Sequence, residues 1–289
     1  MNTIKLKPNK VGKNISKKAT TNLPGVLGIL LLIIFSFSCS TVNLHLEGDS
    51  WNNKEAYDVK GRGIAFTKEK ISFGNYSTHY VKRSWTLGGP STYGIGTGLP
   101  GTPEYANIIS LSYIKKRQTL RFGISDDKGN KSDVFAVSNF NSREVQVGKN
   151  ENSLFNIALD ILQQANKPST SIYYVQLYMN GDEQPWQMIH DNYTAQQPTK
   201  NYIGYLARSK NQYYQIVPVS SMINSKGRVL NMPMGAYGFA FLTREGQPLA
   251  AVSLLNKGAV YFAKEVQPDE KFLFANAAAA LLMQQELGS

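Results

Sequence analysis

The chain has 289 residues, with 31 Lys plus Arg against 20 Asp plus Glu and a formal net charge of +11. Charged residues at 18% and hydrophobic ones at 42% give a globular balance, which excludes a mainly disordered chain, a collagen, a coiled coil and a multi-span membrane protein. One cysteine excludes an internal disulfide framework and a Cys-rich zinc or iron–sulfur site, and three scattered histidines leave little for a His-based metal centre.

In chain order, residues 1–38 read as a leader. Lys5, Lys7, Lys10, Lys13, Lys17 and Lys18, with no acidic residue among them, precede an apolar run over 26–37 that ends at Ser38-Cys39. A basic start, an apolar stretch of about 7–15 residues and a small residue before the cut describe a secretory signal. The run is shorter than the ~20 residues that span a bilayer as a helix. Cys39 is the only cysteine, and residues 26–39 resemble a bacterial lipoprotein signal. The resemblance implies that the thiol is diacylated, the chain is cut before Cys39 and the new amino group is acylated. Ser36 and Phe37 depart from the strict pattern, toward the relaxed form of Bacteroidetes-type bacteria. A signal-anchor helix with an incidental cysteine is the alternative reading.

Acyl chains on one residue give durable attachment where a single chain gives only marginal binding. The expected location is therefore the cell envelope, lipid-anchored at the outer membrane on its periplasmic side or surface. Six basic residues and no acidic one leave with the leader, so the excess falls to +5. No basic stripe with stacking aromatics appears, and nucleic acid is not an expected partner.

Residues 39–54 are polar and read as a lipidated tether, and 55–289 as a single β-rich domain. Alternating, β-branched and aromatic runs predict strands over 63–66, 70–73, 78–86, 108–114, 119–125, 133–137 and 144–147. A second group covers 172–179, 187–190, 202–207, 213–217, 237–243, 250–254 and 259–262. Asp127-Lys128-Gly129-Asn130, Asn180-Gly181-Asp182, Ser209-Lys210-Asn211, Glu245-Gly246 and Asn256-Lys257-Gly258 supply turn chemistry between them. The spacing predicts a mainly β fold, an antiparallel barrel or sandwich.

Two segments carry helical patterns. Asn152 or Ser153 caps an amphipathic helix with Leu154, Ala158, Ile161, Leu162 and Ala165 on one side, stopped at Asn166 and Pro168. After Pro268, positions 272–283 are apolar except for Asn276. A helix apolar all round must be surrounded, and twelve residues at ~1.5 Å each fall short of a ~30 Å bilayer core. The expectation is a buried C-terminal helix enclosed by the sheet, its alanines letting strands approach closely.

Residues 237–287, with the meander Gly238-Phe239-Ala240-Phe241-Leu242 to Ala250–Leu254 leading into that helix, resemble the tubby-like C-terminal fold, shared by LURP-one-related proteins and phospholipid scramblases. The resemblance implies many antiparallel strands around the helix, and lipid headgroup binding, with no binding residues assignable to this chain. Fold likeness alone licenses no function.

The candidate ligand loop is the Gly-rich stretch 88–103, in particular Gly94, Gly96 and Gly98. It lacks the Gly-Lys-Ser/Thr of a phosphate loop and the spacing of a dinucleotide loop. Asp126 to Asp133 lacks calcium-loop spacing and reads as a solvated hairpin tip. His45, His79 and His190 read as surface or edge residues, no Gly-x-Ser-x-Gly elbow occurs, and acylation of Cys39 removes the cysteine nucleophile. Trp85 and Trp186 either fill the interior or grip a glycan or peptide. One tyrosine of each pair, Tyr173-Tyr174 and Tyr213-Tyr214, is expected to face outward. No cofactor or metal is expected.

The functional expectation is a non-enzymatic envelope protein that binds or assembles with a protein, lipid or glycan partner. The competing classes are an envelope hydrolase whose acidic residues converge only in the fold, and a lipid-binding tubby-like module with an apolar cavity beside the helix.

Overall fold

Alternation along β7 (Lys116–Ser125) and β8 (Lys131–Phe140) turns Leu120, Phe122, Ile124, Val134 and Ala136 to one face, where all are buried. The computed structural model describes residues 43–46, 49–62, 70–87, 93–95, 109–111, 116–140, 145–146, 172–182, 184–192, 195, 204–209, 211–224, 226–231 and 235–284. All belong to one compact unit, Val42–Ser289. The predicted strand at 63–66 and the amphipathic helix after Asn152 lie outside the described residues.

The first strands are β1 (Asn43–Leu44), β2 (Glu55–Asp58), β3 (Ser72–Phe73), β4 (Tyr76–Leu87), β5 (Tyr93–Ile95) and β6 (Ile109–Leu111). After β7 and β8 come β9 (Val145–Gln146), β10 (Ile172–Met179), β11 (Trp186–Asp191), β12 (Gly204–Ser209) and β13 (Gln212–Val219). The series ends with β14 (Ser221–Ile223), β15 (Val229–Asn231), β16 (Gly238–Leu242), β17 (Pro248–Ser253), β18 (Ala259–Phe262) and the helix α1 (Pro268–Met283). Twelve of the strands form one antiparallel sheet in the order β2-β18-β17-β16-β13-β12-β11-β10-β8-β7-β4-β3. Just beyond β2, Lys60 exchanges backbone hydrogen bonds with Ser72 on β3, at 2.8 and 3.0 Å. The sheet thereby nearly closes, and the expected barrel-or-sandwich resolves as a barrel. The predicted meander is present as β16-β17-β18, with Asn256 at φ 53° and Gly258 at φ 92° in its second turn.

α1 fills the barrel. Every residue from Phe272 to Met283 is buried, and the helix packs on β8, β10, β17 and β18. Six of these residues are large apolar side chains, each contributing roughly 1.5–3 kcal/mol when fully buried. Near its C-terminus the helix comes close to the β17–β18 turn, where a Cβ on Gly258 would stand 2.5 Å from Leu282 Cδ2. The one polar residue of this stretch of α1 is satisfied. Asn276 donates to Phe272 O at 2.8 Å and accepts from the Ser132 hydroxyl. At the N-terminus, Pro268 occupies the first turn and the Gln267 N–H reaches Glu270 Oε2 at 3.4 Å. Tyr214 donates to the other Glu270 oxygen at 2.6 Å, and Lys271 Nζ sits 2.9 Å from both oxygens of Glu55 on β2.

The stretch expected as a tether is not free of the domain. Leu44 on β1 and Trp51, in a 3-10 turn over Asp49–Asn53, are each 2% exposed. They cover the outer face of β16, β17 and β18 at Ala240, Ala251 and Tyr261. Glu55-Ala-Tyr-Asp, too polar and short to announce itself, becomes β2 because Val260 and Phe262 of β18 give it a partner to pair with. Polarity across the wall is that of a filled barrel: outward-facing Lys82, Lys131 and Gln215 contrast with the apolar interior. A lipid-spanning barrel has the reverse arrangement. Among the described residues no helix is long and apolar enough to cross a membrane.

Candidate functional site

Strand register separates two unlike ends. At one, antiparallel neighbours are joined by tight turns: Asp126–Asn130 between β7 and β8, Asn180–Gly181 after β10, and Glu245–Gly246 between β16 and β17. Asp126 builds the first, accepting from the N–H groups of Lys128 and Asn130 at 3.0 and 2.9 Å, so the predicted hairpin tip is self-contained. α1 begins at this end, after β18. At the other end, Leu87 pairs with Lys116 and Ile172 with Phe140. The long connections 88–115 and 141–171 therefore leave from there, as does 192–203 after β11. Connections between the elements of a rigid scaffold are where binding residues concentrate.

The candidate ligand loop belongs to the first of these connections. Gly94 lies on β5 opposite Ser110 of β6, in a small sheet completed by β9. Gly96, Gly98 and Cys39 lie outside the described residues.

The same end of the barrel holds the C-terminus of α1, whose last carbonyls need donors. Tyr173 donates to Ala280 O at 2.8 Å and Arg83 Nη2 to Met283 O at 2.7 Å. A cation also complements the helix dipole there. Burial pushes the Tyr173 hydroxyl far above its ordinary value, so it remains a donor. Beside it sits His190, against the expectation of a surface histidine. Its ring is fully buried between Tyr173 and Phe239, with centroids 5.6 and 5.0 Å away. Neither ring nitrogen has a hydrogen-bond partner. Burial lowers its pKa to about 4, while Gln284, reaching toward the ring without meeting hydrogen-bond geometry, and the Asp191 carboxylate pull the other way. Its place two residues after Met188 and four after Trp186, both buried, is the sequence signal that turns it inward.

The remaining candidates separate. His45 is half-buried beside β14, and His79 is exposed at an irregularity in β4, so the three histidines form no cluster. Trp186 is an interior residue stacked on Tyr214 at 5.7 Å. The side chain of Trp85 lies outside the described residues. Tyr174 does face away from Tyr173 but is equally buried, at 2% exposure, so it offers no open surface. On the outer wall, Tyr80 donates to Asp133 and accepts from Arg121 Nε at 3.2 Å. Burial and the Asp133 bond raise the Tyr80 pKa to about 12, which suits a structural link. Among the described residues no group of three His, Cys, Asp or Glu is placed to hold a metal. The chain matches no protein-family model, no curated protein and no solved structure.

Proposed function

We propose that the protein is a membrane-anchored lipoprotein of the cell envelope, held by acyl chains on Cys39, with a non-enzymatic role in binding or assembly. The observation that carries this reading is the position of the only cysteine. It follows a lysine-rich leader and an apolar run, and it precedes by four residues β1, the short strand that pairs with β14 beside the barrel. An interior filled by α1 and a loop-bearing end suit recognition by the long connections. The partner is an envelope protein, lipid or glycan, and the outer membrane is the proposed site of anchoring.

Mass spectrometry of the protein from its native envelope tests the anchor. The expected product begins at Cys39 and carries acyl mass, and Cys39→Ala abolishes both processing and membrane fractionation. An intact leader or a bare thiol refutes the reading.

A second reading, a tubby-like lipid-binding module, is favoured by one observation: twelve antiparallel strands around an apolar C-terminal helix are the architecture that resemblance implies. Vesicle pull-downs of the full chain across headgroup types distinguish it, since a headgroup-specific module discriminates between lipids of equal charge.

A further inference from the structure

The β14–β15 hairpin stands where the chain enters the barrel. Asn43 pairs with Ile223 and Leu44 with Met222, antiparallel. β1 therefore runs into the barrel wall while β14 runs out, past the rim that holds the α1 C-terminus. Hydrogen bonds tie the turn after β14 together. Asn224 Oδ1 accepts from the N–H groups of Lys226 and Arg228 at 3.0 and 2.9 Å, Asn224 O accepts from Gly227 at 2.9 Å, and Gly227 takes φ 75°. This tip presents Lys226 and Arg228 to solvent, followed by Val229, the exposed large hydrophobic among the described residues at 40%. Lys257, in the β17–β18 turn at the same end, is exposed as well. The turns at the opposite end carry both signs, Asp126, Asp127, Asp182 and Glu245 beside Lys128, Arg208 and Arg244.

Covalent geometry ties this tip to the anchor. Three residues separate Cys39 from Asn43, so four Cα steps at ~3.5 Å each keep the Cα of the acylated residue within about 14 Å of β1. An anchor so short cannot hold the barrel far from the bilayer.

We infer that the β14–β15 hairpin is a membrane-apposed foot, in which Lys226 and Arg228 engage anionic lipid headgroups while Val229 dips into the interface. The barrel then stands with its loop-bearing end toward the bilayer and its tight turns outward. This rests on the lipoprotein reading for the anchor. The cations add orientation, because each basic side chain near an anionic surface shifts such an equilibrium by about fivefold. The salt dependence follows from screening over ~8–10 Å.

The test uses the full chain, produced with its own leader in a lipoprotein-processing bacterium and reconstituted into phosphatidylcholine vesicles with or without phosphatidylglycerol. Val229→Cys and, at the opposite end, Asp127→Cys each carry a fluorophore, and quenching by spin-labelled lipid is measured. Mass analysis of the same samples reports acylation, and circular dichroism confirms folding. The expected result is strong quenching at position 229 in anionic vesicles and little at 127. In the Lys226→Glu, Arg228→Glu background, quenching at 229 falls toward the level at 127, as does wild type in high salt. Acylated protein with equal quenching at 229 and 127 overturns the foot while leaving the anchor intact. Unacylated protein that still shows quenching at 229 supports the foot and overturns the anchor reading instead.

Discussion

Lowering the pH through the range just below neutrality removes a defined amount of stability through His190. The imidazole is buried with both ring nitrogens unpartnered, and its folded pKa is about 4 against an ordinary 6.5. The unfolded chain thus binds the proton more readily than the folded one between those values. A group depressed in this way contributes fully above pH 6.5, and its contribution is lost as the pH falls toward 4. At ~1.36 kcal/mol per pH unit, the loss amounts to about 2 kcal/mol by pH 5 and about 3 kcal/mol by pH 4. That is a large part of the 5–15 kcal/mol typical of a domain. Urea denaturation followed by tryptophan fluorescence at half-unit pH steps measures it. His190→Phe, an uncharged ring in an aromatic surrounding, flattens the profile over this range. Glu55, whose pKa is lowered by its bond to Lys271, acts in a separate and more acidic range, below its ordinary 4.5. Should wild-type stability stay flat from pH 6.5 to 4.5, or should NMR titration of the His190 ring give an ordinary midpoint, the picture of a dry, unpartnered imidazole is wrong.

Other expectations concern packing. Ala279→Asp places a charge where exposure is zero, and a loss of about 3–5 kcal/mol leaves little folded protein by thermal denaturation; a soluble variant with wild-type Tm contradicts an enclosed helix. Trp51→Ala uncovers Tyr261 and Ala251 and costs about 3 kcal/mol in urea titration, whereas a free tether would show no change. Asn276→Ala breaks the link to Ser132 and Phe272 and costs about 1–2 kcal/mol, with a double-mutant cycle against Ser132→Ala showing coupling of about 1 kcal/mol.

Much of the barrel is legible in the chain because turn residues and alternation coincide. The Ile172–Met179 pattern and the Ala259–Phe262 pattern match their strands end to end, and Asn180-Gly181 stands at the turn its residues predict. The apolar helix is legible from composition alone, since over 272–283 only Asn276 is polar. The edges are not. β1 has two residues and β2 four, and neither exists without the strand that receives it. Burial on both faces of β10 is also invisible in its pattern: alternation shows that Tyr173 and Tyr174 point apart, not what lies over each. The candidate site is partly readable. The Gly-rich stretch marks a long connection, but only strand register reveals that the long connections leave one rim together. His190 reads inward once its neighbours Trp186 and Met188 are taken as its partners in spacing.

The helix that fills the barrel follows all eighteen described strands in the chain. Its contacts with β8 and β10 join residues more than a hundred positions apart, and β2 must meet β18 across most of the chain. A nascent chain lacking this helix has walls with nothing to close upon, so folding waits until the helix has been made. Non-local pairings of this kind are slow to form and leave sticky intermediates exposed meanwhile. Stop codons placed ahead of Pro268 should yield no partial molecule, only material for proteolysis.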